Sequence, residues 1–142
     1  MSLDNILMMN KKAILIIGAT GGIGKLLSKE LKSKGYYVIG NGRKEEVLKD
    51  MKEKNIIDEY IVGDLTNEND RRKIIEKIKE LRKNYDVTLF YNLGILYNYP
   101  GSFDKYDEKQ ILQSFNTNTL SIMYLDNELL KEGIILGTIY MV

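Results

Sequence analysis

Residues 16–25 read IIGATGGIGK, four glycines in ten positions, with the apolar run AILII (13–17) leading into them. A short aliphatic run without polar alternation suits a strand buried on both faces. Behind the glycines, Ile23, Leu26, Leu27 and Leu31 recur at helical spacing up to Lys34, and Gly35 supplies a C-terminal cap. A strand, a glycine turn and a helix follow in that order. Such a junction presents backbone N–H groups at a helix N-terminus, where an anion is favoured.

Two phosphate-binding devices place glycines at about this spacing. A mononucleotide loop needs G-x-x-x-x-G-K-[ST]; with Gly24 and Lys25 as its G-K pair, the first glycine falls on Ala19 and the required hydroxyl on Leu26. Both ends fail. Gly18, Gly22 and Gly24 instead fit a dinucleotide loop, one for the tight turn, one for close approach of a pyrophosphate and one for packing the helix near the strand.

The alternation continues down the chain. Residues 36–41 (YYVIGN) predict a second strand, 43–54 a helix with Val47, Leu48 and Met51 inward, and 59–64 (EYIVGD) a third strand ending in an acid. Asn67 suits the N-cap of a long helix with the stripe Ile74, Ile75, Ile78 and Leu81, whose Arg71, Arg72, Lys73, Glu76, Lys77 and Glu80 read as a solvated face. Residues 87–96 predict a fourth strand, 107–131 a helix with Ile111, Phe115, Ile122, Leu125 and Leu129 on one side, and 134–142 a fifth strand. The fold class is therefore α/β, a doubly wound parallel sheet of the Rossmann type in three layers with about five strands. Ligands of such sheets bind beyond the carboxyl ends of the strands, where strand order reverses, and the glycine loop lies there.

The chain has 142 residues, 44% of them hydrophobic, enough for one domain with a real core and too few for two. Lys plus Arg total 21 against 20 for Asp plus Glu, so no net field favours nucleic acid or an acidic membrane. Without cysteine or histidine, disulfides, thiolate nucleophiles, His-based triads and Cys/His zinc sites are excluded, and no metal site is expected. Residues 1–9 (MSLDNILMM) lack a basic n-region and an apolar stretch of spanning length, so a cytoplasmic protein without a membrane anchor is expected.

The glycine loop resembles the T-G-x-x-x-G-x-G of the short-chain dehydrogenase/reductase family, with Ile17 replacing the threonine and Gly18, Gly22, Ile23 and Gly24 matching. Gly18, Gly21 and Gly24 also satisfy the G-x-x-G-x-x-G of the extended, epimerase-like branch. GDLT (63–66) resembles the family's D-[VL]-[TS], which implies that Asp64 and the Leu65 amide meet the adenine ring. YNLG (91–94) resembles N-N-A-G, placing Asn92 and Gly94 beside the cofactor, and QSFNTN (113–118) resembles the helical asparagine, for which Asn116 fits the distance to LLKEG better than Asn118. The last two favour the single-domain, reductase-like branch, and Thr20 joins the loop glycines as a cofactor-binding candidate. Each polar residue also has a plain structural use: Asp64 in a turn, Asn92 at a strand end, Asn116 on a helix surface.

The second strand ends NGR, with Gly42 where an acid would hold the ribose hydroxyls of NAD, and Arg43 beside it. A guanidinium fork suits a 2′-phosphate, so NADP(H) is expected over NAD(H), with Lys44 assisting. The family resemblance implies a small-molecule carbonyl or alcohol substrate and a Y-x-x-x-K acid/base with a serine ending strand five. No tyrosine after strand five is followed four residues later by lysine, and Thr138, or less well Tyr140, stands in the serine's region. Asn116 and Thr138 are thus the catalytic candidates. Tyr97, Tyr99 and Phe103 are placed to line a substrate pocket or to pack their own loop.

Residues 1–142 correspond to about the N-terminal 60% of a member of about 230 to 250 residues, so they are expected to form one cofactor-binding domain truncated after its fifth strand. Three readings stay open: an NADP(H)-dependent oxidoreductase impaired by the missing acid/base, a non-catalytic NADP(H)-binding or sensing module, and a fragment of an extended-branch nucleotide-sugar enzyme. A fifth strand at the sheet edge would display Ile134, Ile135, Leu136 and Ile139, which predicts self-association or a homo-oligomer.

Overall fold

The computed structural model describes residues 2–3, 11–95 and 103–141. Five strands form one sheet: β1 (Lys12–Ile17), β2 (Tyr37–Gly42), β3 (Glu59–Val62), β4 (Asp86–Tyr91) and β5 (Gly137–Tyr140). Every pairing is parallel and the order is β3-β2-β1-β4-β5, so β1 is central and strand order reverses between β1 and β4. The helices are α1 (Gly22–Ser33), α2 (Glu45–Glu53), α3 (Glu68–Leu81), α4 (Glu108–Phe115) and α5 (Ser121–Lys131).

The apolar run of β1 dictates the layering. Successive side chains of a strand point to opposite faces, so an unbroken aliphatic strand needs cover on both. Ala13, Leu15 and Ile17 enter one core with Ile74, Ile75 and Ile78 of α3 and Leu125 and Leu129 of α5. Ile14 and Ile16 enter a second core with Leu48 and Met51 of α2, against which Leu27 and Leu31 of α1 pack. The α3 stripe is buried as its spacing predicts, and the Asn67 side chain accepts from the Asp70 N–H at 3.2 Å, capping the helix.

Four expectations need correction. Ile23 and Leu26 are 61% and 71% exposed, because the first turn of α1 overhangs the strand ends and Leu26 lies off the Leu27–Leu31 stripe. The helix expected over 107–131 divides into α4 and α5 at a π-helical turn, Asn116–Leu120, and α4 buries no residue, so Ile111 and Phe115 are exposed while Leu125 and Leu129 are core. Arg71 is buried rather than solvated. The fifth strand is shorter than 134–142 because it pairs only with Thr88–Tyr91, and Ile134 is buried before it begins, so the edge displays Ile135 and Ile139 instead.

Candidate functional site

A crevice of about 920 Å³ opens at the carboxyl end of the sheet, beside the reversal of strand order. That is within the range of roughly 300–1,000 Å³ common for ligand pockets. Every strand end contributes. Gly18, Thr20, Gly22 and Ile23 line it after β1, Arg43 after β2, Asp64 and Leu65 after β3, Asn92 and Gly94 after β4. Of the candidates from sequence, Gly24, Lys44, Asn116 and Thr138 lie outside the lining.

The turn after β1 is shaped by close backbone approach. Gly18 has φ +83°, and a Cβ there would fall 2.6 Å from the Asn92 carbonyl oxygen; one on Gly24 would fall 2.5 Å from the Gly18 oxygen and 2.7 Å from the Ala19 oxygen. Gly24 therefore sets how closely α1 sits against the turn. The Gly18 and Ala19 N–H groups both donate to the Asn41 carbonyl (3.2 and 2.8 Å), and Asn92 Nδ2 donates to the Gly18 carbonyl at 3.0 Å. A Cβ on Gly21 or Gly22 would meet nothing within 4 Å, so this part of the turn stays open to a ligand. The N-cap of α1 is Gly21, with no side-chain cap and no acid in the first turn, whereas Asn67 and Asp107 cap α3 and α4. A dinucleotide's diphosphate fits there: the first-turn amides face no competing side-chain acceptor and the crevice gives access.

The β2 and β3 ends form the adjoining wall. A Cβ on Gly42 would fall 2.6 Å from Thr20 Cγ2, so an acid at 42 cannot be seated unless Thr20 moves. Buried Asn41 donates from Nδ2 to the Ile61 and Gly63 carbonyls at 3.0 and 3.2 Å, joining the two strand ends. Asp64 Oδ1 accepts from the Thr66 N–H and hydroxyl at 2.9 and 2.7 Å, so Asp64 has its turn-forming use as well as a place on the lining. The Asp64 N–H donates to Asp70 Oδ2 at 2.9 Å.

That backbone bond, with Lys73 beside it, holds the Asp70 carboxyl below the ordinary value of 3.8. A depressed folded pKa contributes stability that is full above the unfolded value and is lost as the pH falls through the folded one. Asp70→Asn is therefore expected to flatten the loss of stability below about pH 4 in urea unfolding series. Identical acid limbs for variant and wild type would contradict this.

On the far wall, the π turn aims Asn118 at the loop after β4. Asn118 Nδ2 donates to the Ile95 carbonyl and its Oδ1 accepts from the Ile95 N–H, both at 2.7 Å, a reciprocal clamp. Asn118 lines the crevice; Asn116, two residues earlier in the π turn and on another side of it, lines a separate shallow cavity with Asp107 and Leu112. Residue counting along the chain carries no helix phase, and phase decides which asparagine faces the crevice. Thr138 donates to the carbonyl of Leu136, just before β5, at 3.3 Å.

Tyr140 does line the crevice. Its hydroxyl donates to Asp126, which also accepts from Tyr91 Oη at 2.6 Å, and the two tyrosine rings stack 5.2 Å apart. The Asp126 bond, followed by burial, pushes Tyr140 up to about 12. Burial and the same carboxylate push Tyr91 up as well. Tyr97 and Tyr99 lie outside the described residues, as does the Phe103 side chain. Among the described residues no group of three or more acidic, His or Cys side chains is placed to hold a metal, and no helix is long and apolar enough to cross a membrane.

The parallel 3-2-1-4-5 sheet with a glycine turn at its switch point defines a Rossmann-type dinucleotide-binding fold. Residues 12–138 match the short chain dehydrogenase family, and the chain belongs to it. Human "Inactive hydroxysteroid dehydrogenase-like protein 1" is 36% identical over 111 residues, 73% of this chain and 32% of that protein. The chain thus spans about a third of the length of the curated relatives it matches. A short chain dehydrogenase/reductase from Saccharomyces cerevisiae is 27% identical with a TM-score of 0.76, over 92% of this chain and 53% of that one. The NADPH dependent reductase YwfH, involved in bacilysin biosynthesis, shares the fold with a TM-score of 0.73 at 22% identity, over 94% of this chain and 59% of that one.

Proposed function

We propose that the chain is the NADP(H)-binding portion of a short-chain oxidoreductase acting on a carbonyl or alcohol, impaired in turnover as it stands. The observation that carries this reading is the convergence on one crevice of the uncapped α1 amides and the Arg43 side chain, with Thr20 crowding the place an acid would need at Gly42. The amides of Gly21–Ile23 bind the diphosphate, Arg43 the 2′-phosphate, and Asp64 with the Leu65 amide the adenine. Asn92, Gly94 and Asn118 frame the opposite end. A bound nicotinamide supplies the hydride to a carbonyl or accepts one from an alcohol.

Turnover also needs an acid whose proton reaches the substrate oxygen. Among the described residues Tyr140 is the phenol that lines the crevice, but its proton is engaged by Asp126 and its pKa is raised, the opposite of an activated acid/base. NADPH is therefore expected to bind, with quenching or shift of its fluorescence, and not to be oxidised with a panel of aldehydes and ketones. Steady oxidation would contradict the impairment, and absence of binding would contradict the reading as a whole. The second reading, a non-catalytic NADP(H)-binding or sensing module, is favoured by the same Tyr140–Asp126 bond and by the word "inactive" in the human relative's name. A nucleotide-sugar enzyme fragment is disfavoured by Asn92 and the Asn118 clamp; binding of a nucleotide sugar would revive it.

A small-molecule partner, rather than nucleic acid or membrane, accords with a net charge of +1, and a cytoplasmic location accords with the lack of cysteine. The β5 edge, with Ile135 79% and Ile139 47% exposed, and the exposed Ile111, Leu112 and Phe115 of α4 support self-association. Light scattering of the 142-residue chain is expected to show oligomers that grow with concentration. A monodisperse monomer at high concentration would contradict this.

A further inference from the structure

Arg71 stands near the start of α3, in a sequence of charges spaced as a solvated face, yet it is only 7% exposed. All three nitrogens of its guanidinium are engaged. Nε donates to the two Glu128 oxygens at 3.0 and 3.1 Å, Nη2 lies 2.9 Å from Glu128 Oε1, and Nη1 donates to the Leu65 carbonyl at 2.8 Å. The Tyr124 ring covers the guanidinium carbon at 5.1 Å. Glu128 and Tyr124 belong to α5, whereas Leu65 is part of the crevice wall after β3.

A buried ion pair is weak evidence of a stabilising role, since an apolar side chain of similar volume fills the same space without desolvating a charge. What an apolar side chain cannot do is hold a carbonyl. The neighbouring bonds point the same way: Asp70 accepts from the Asp64 N–H and Thr66 donates to Asp64 Oδ1, so residues 64–66 are fixed by the side chains of Asp64 and Thr66 within the loop and of Asp70 and Arg71 at the start of α3. Preorganisation of a binding edge by groups that do not touch the ligand is a common use of such bonds.

We propose that Arg71 is a positioning residue of the crevice: through the Leu65 carbonyl it fixes the Asp64–Leu65 edge on which the adenine end of the dinucleotide rests, without touching the ligand. The inference rests on the NADP(H) reading above. Its test uses NADPH and adenosine 2′,5′-bisphosphate, a probe carrying the adenine end alone, titrated against the wild type, R71M, R71K and E128Q, with thermal midpoints recorded alongside. R71M is expected to weaken both probes by the same factor, about tenfold. R71K keeps a donor for the Leu65 carbonyl and E128Q keeps the Arg71 bond itself, so both are expected to stay within about threefold of the wild type while still losing thermal stability. A purely structural Arg71 predicts lowered midpoints with unchanged affinities throughout.

A folded R71M with wild-type affinity for both probes overturns the inference and leaves the NADP(H) reading standing. Should R71M not fold, R71Q takes its place, an uncharged side chain too short to bridge Glu128 and the Leu65 carbonyl together: a loss of about tenfold for both probes, with R71K within about threefold, supports the inference, and wild-type affinity for both overturns it. A wild type that binds neither probe removes the NADP(H) reading, and the inference with it.

Discussion

Gly24→Ala is expected to weaken dinucleotide binding severely and to destabilise the chain. The added Cβ would fall 2.5 Å from the Gly18 oxygen, 2.7 Å from the Ala19 oxygen and 2.8 Å from the Ala19 carbonyl carbon, all backbone atoms with no rotamer to yield. The turn itself is anchored to β2 and β4 by the Asn41 and Asn92 bonds, so α1 must move. Alanine is the better helix former by about 1 kcal/mol. Overpacking against fixed atoms costs about 3 kcal/mol, so the clash wins and a net loss of about 2 kcal/mol is expected in urea unfolding. Displaced α1 amides lose hydrogen bonds to the charged diphosphate, each contributing about 1.5–3 kcal/mol, so a loss of about 100-fold in affinity for NADPH is expected. Gly22→Ala is the control for stability, since its Cβ meets nothing within 4 Å. Wild-type stability and affinity for Gly24→Ala would show that α1 does not depend on this contact.

The second large effect is expected at Arg43. Its side chain lines the crevice where the 2′-phosphate is placed, and a charge-assisted hydrogen bond contributes about 1.5–3 kcal/mol. Arg43→Ala is therefore expected to weaken NADPH by about 10- to 100-fold while leaving NADH nearly unchanged, read by parallel titrations. Equal losses for both would mean that Arg43 supports the crevice rather than the phosphate. The partner experiment turns on Thr20. Gly42→Asp alone is expected to lose stability and gain little NADH affinity, because its Cβ meets Thr20 Cγ2 at 2.6 Å; adding Thr20→Ser removes that methyl and is expected to release the gain.

The fold was legible where local pattern and tertiary demand coincide. The unbroken aliphatic β1 admits only a two-sided burial, and the Ile74-Ile75-Ile78-Leu81 stripe of α3 can face only one way, so both follow from spacing alone. The glycine turn was legible because Gly18 and Gly24 are required by backbone contacts that permit no side chain. Long-range geometry was not. Arg71 looks like its exposed neighbours until α5 brings Glu128 to it, a partner 57 residues away in sequence. The choice between Asn116 and Asn118 depends on the phase of a helix carrying a π turn, which residue identity does not report. Asp126 carries no local signal either, since its role is set by Tyr91 and Tyr140 from adjacent strands.

On the proposed function, the α1 amides at the mouth of the turn hold the diphosphate of NADP(H). A crystal of the chain soaked with NADP⁺ tests it most directly. The diphosphate is expected against the Gly21–Ile23 amides, with the 2′-phosphate within hydrogen-bonding reach of Arg43. An empty crevice under saturating NADP⁺, or one that accepts only a magnesium-bound nucleoside triphosphate, would contradict it.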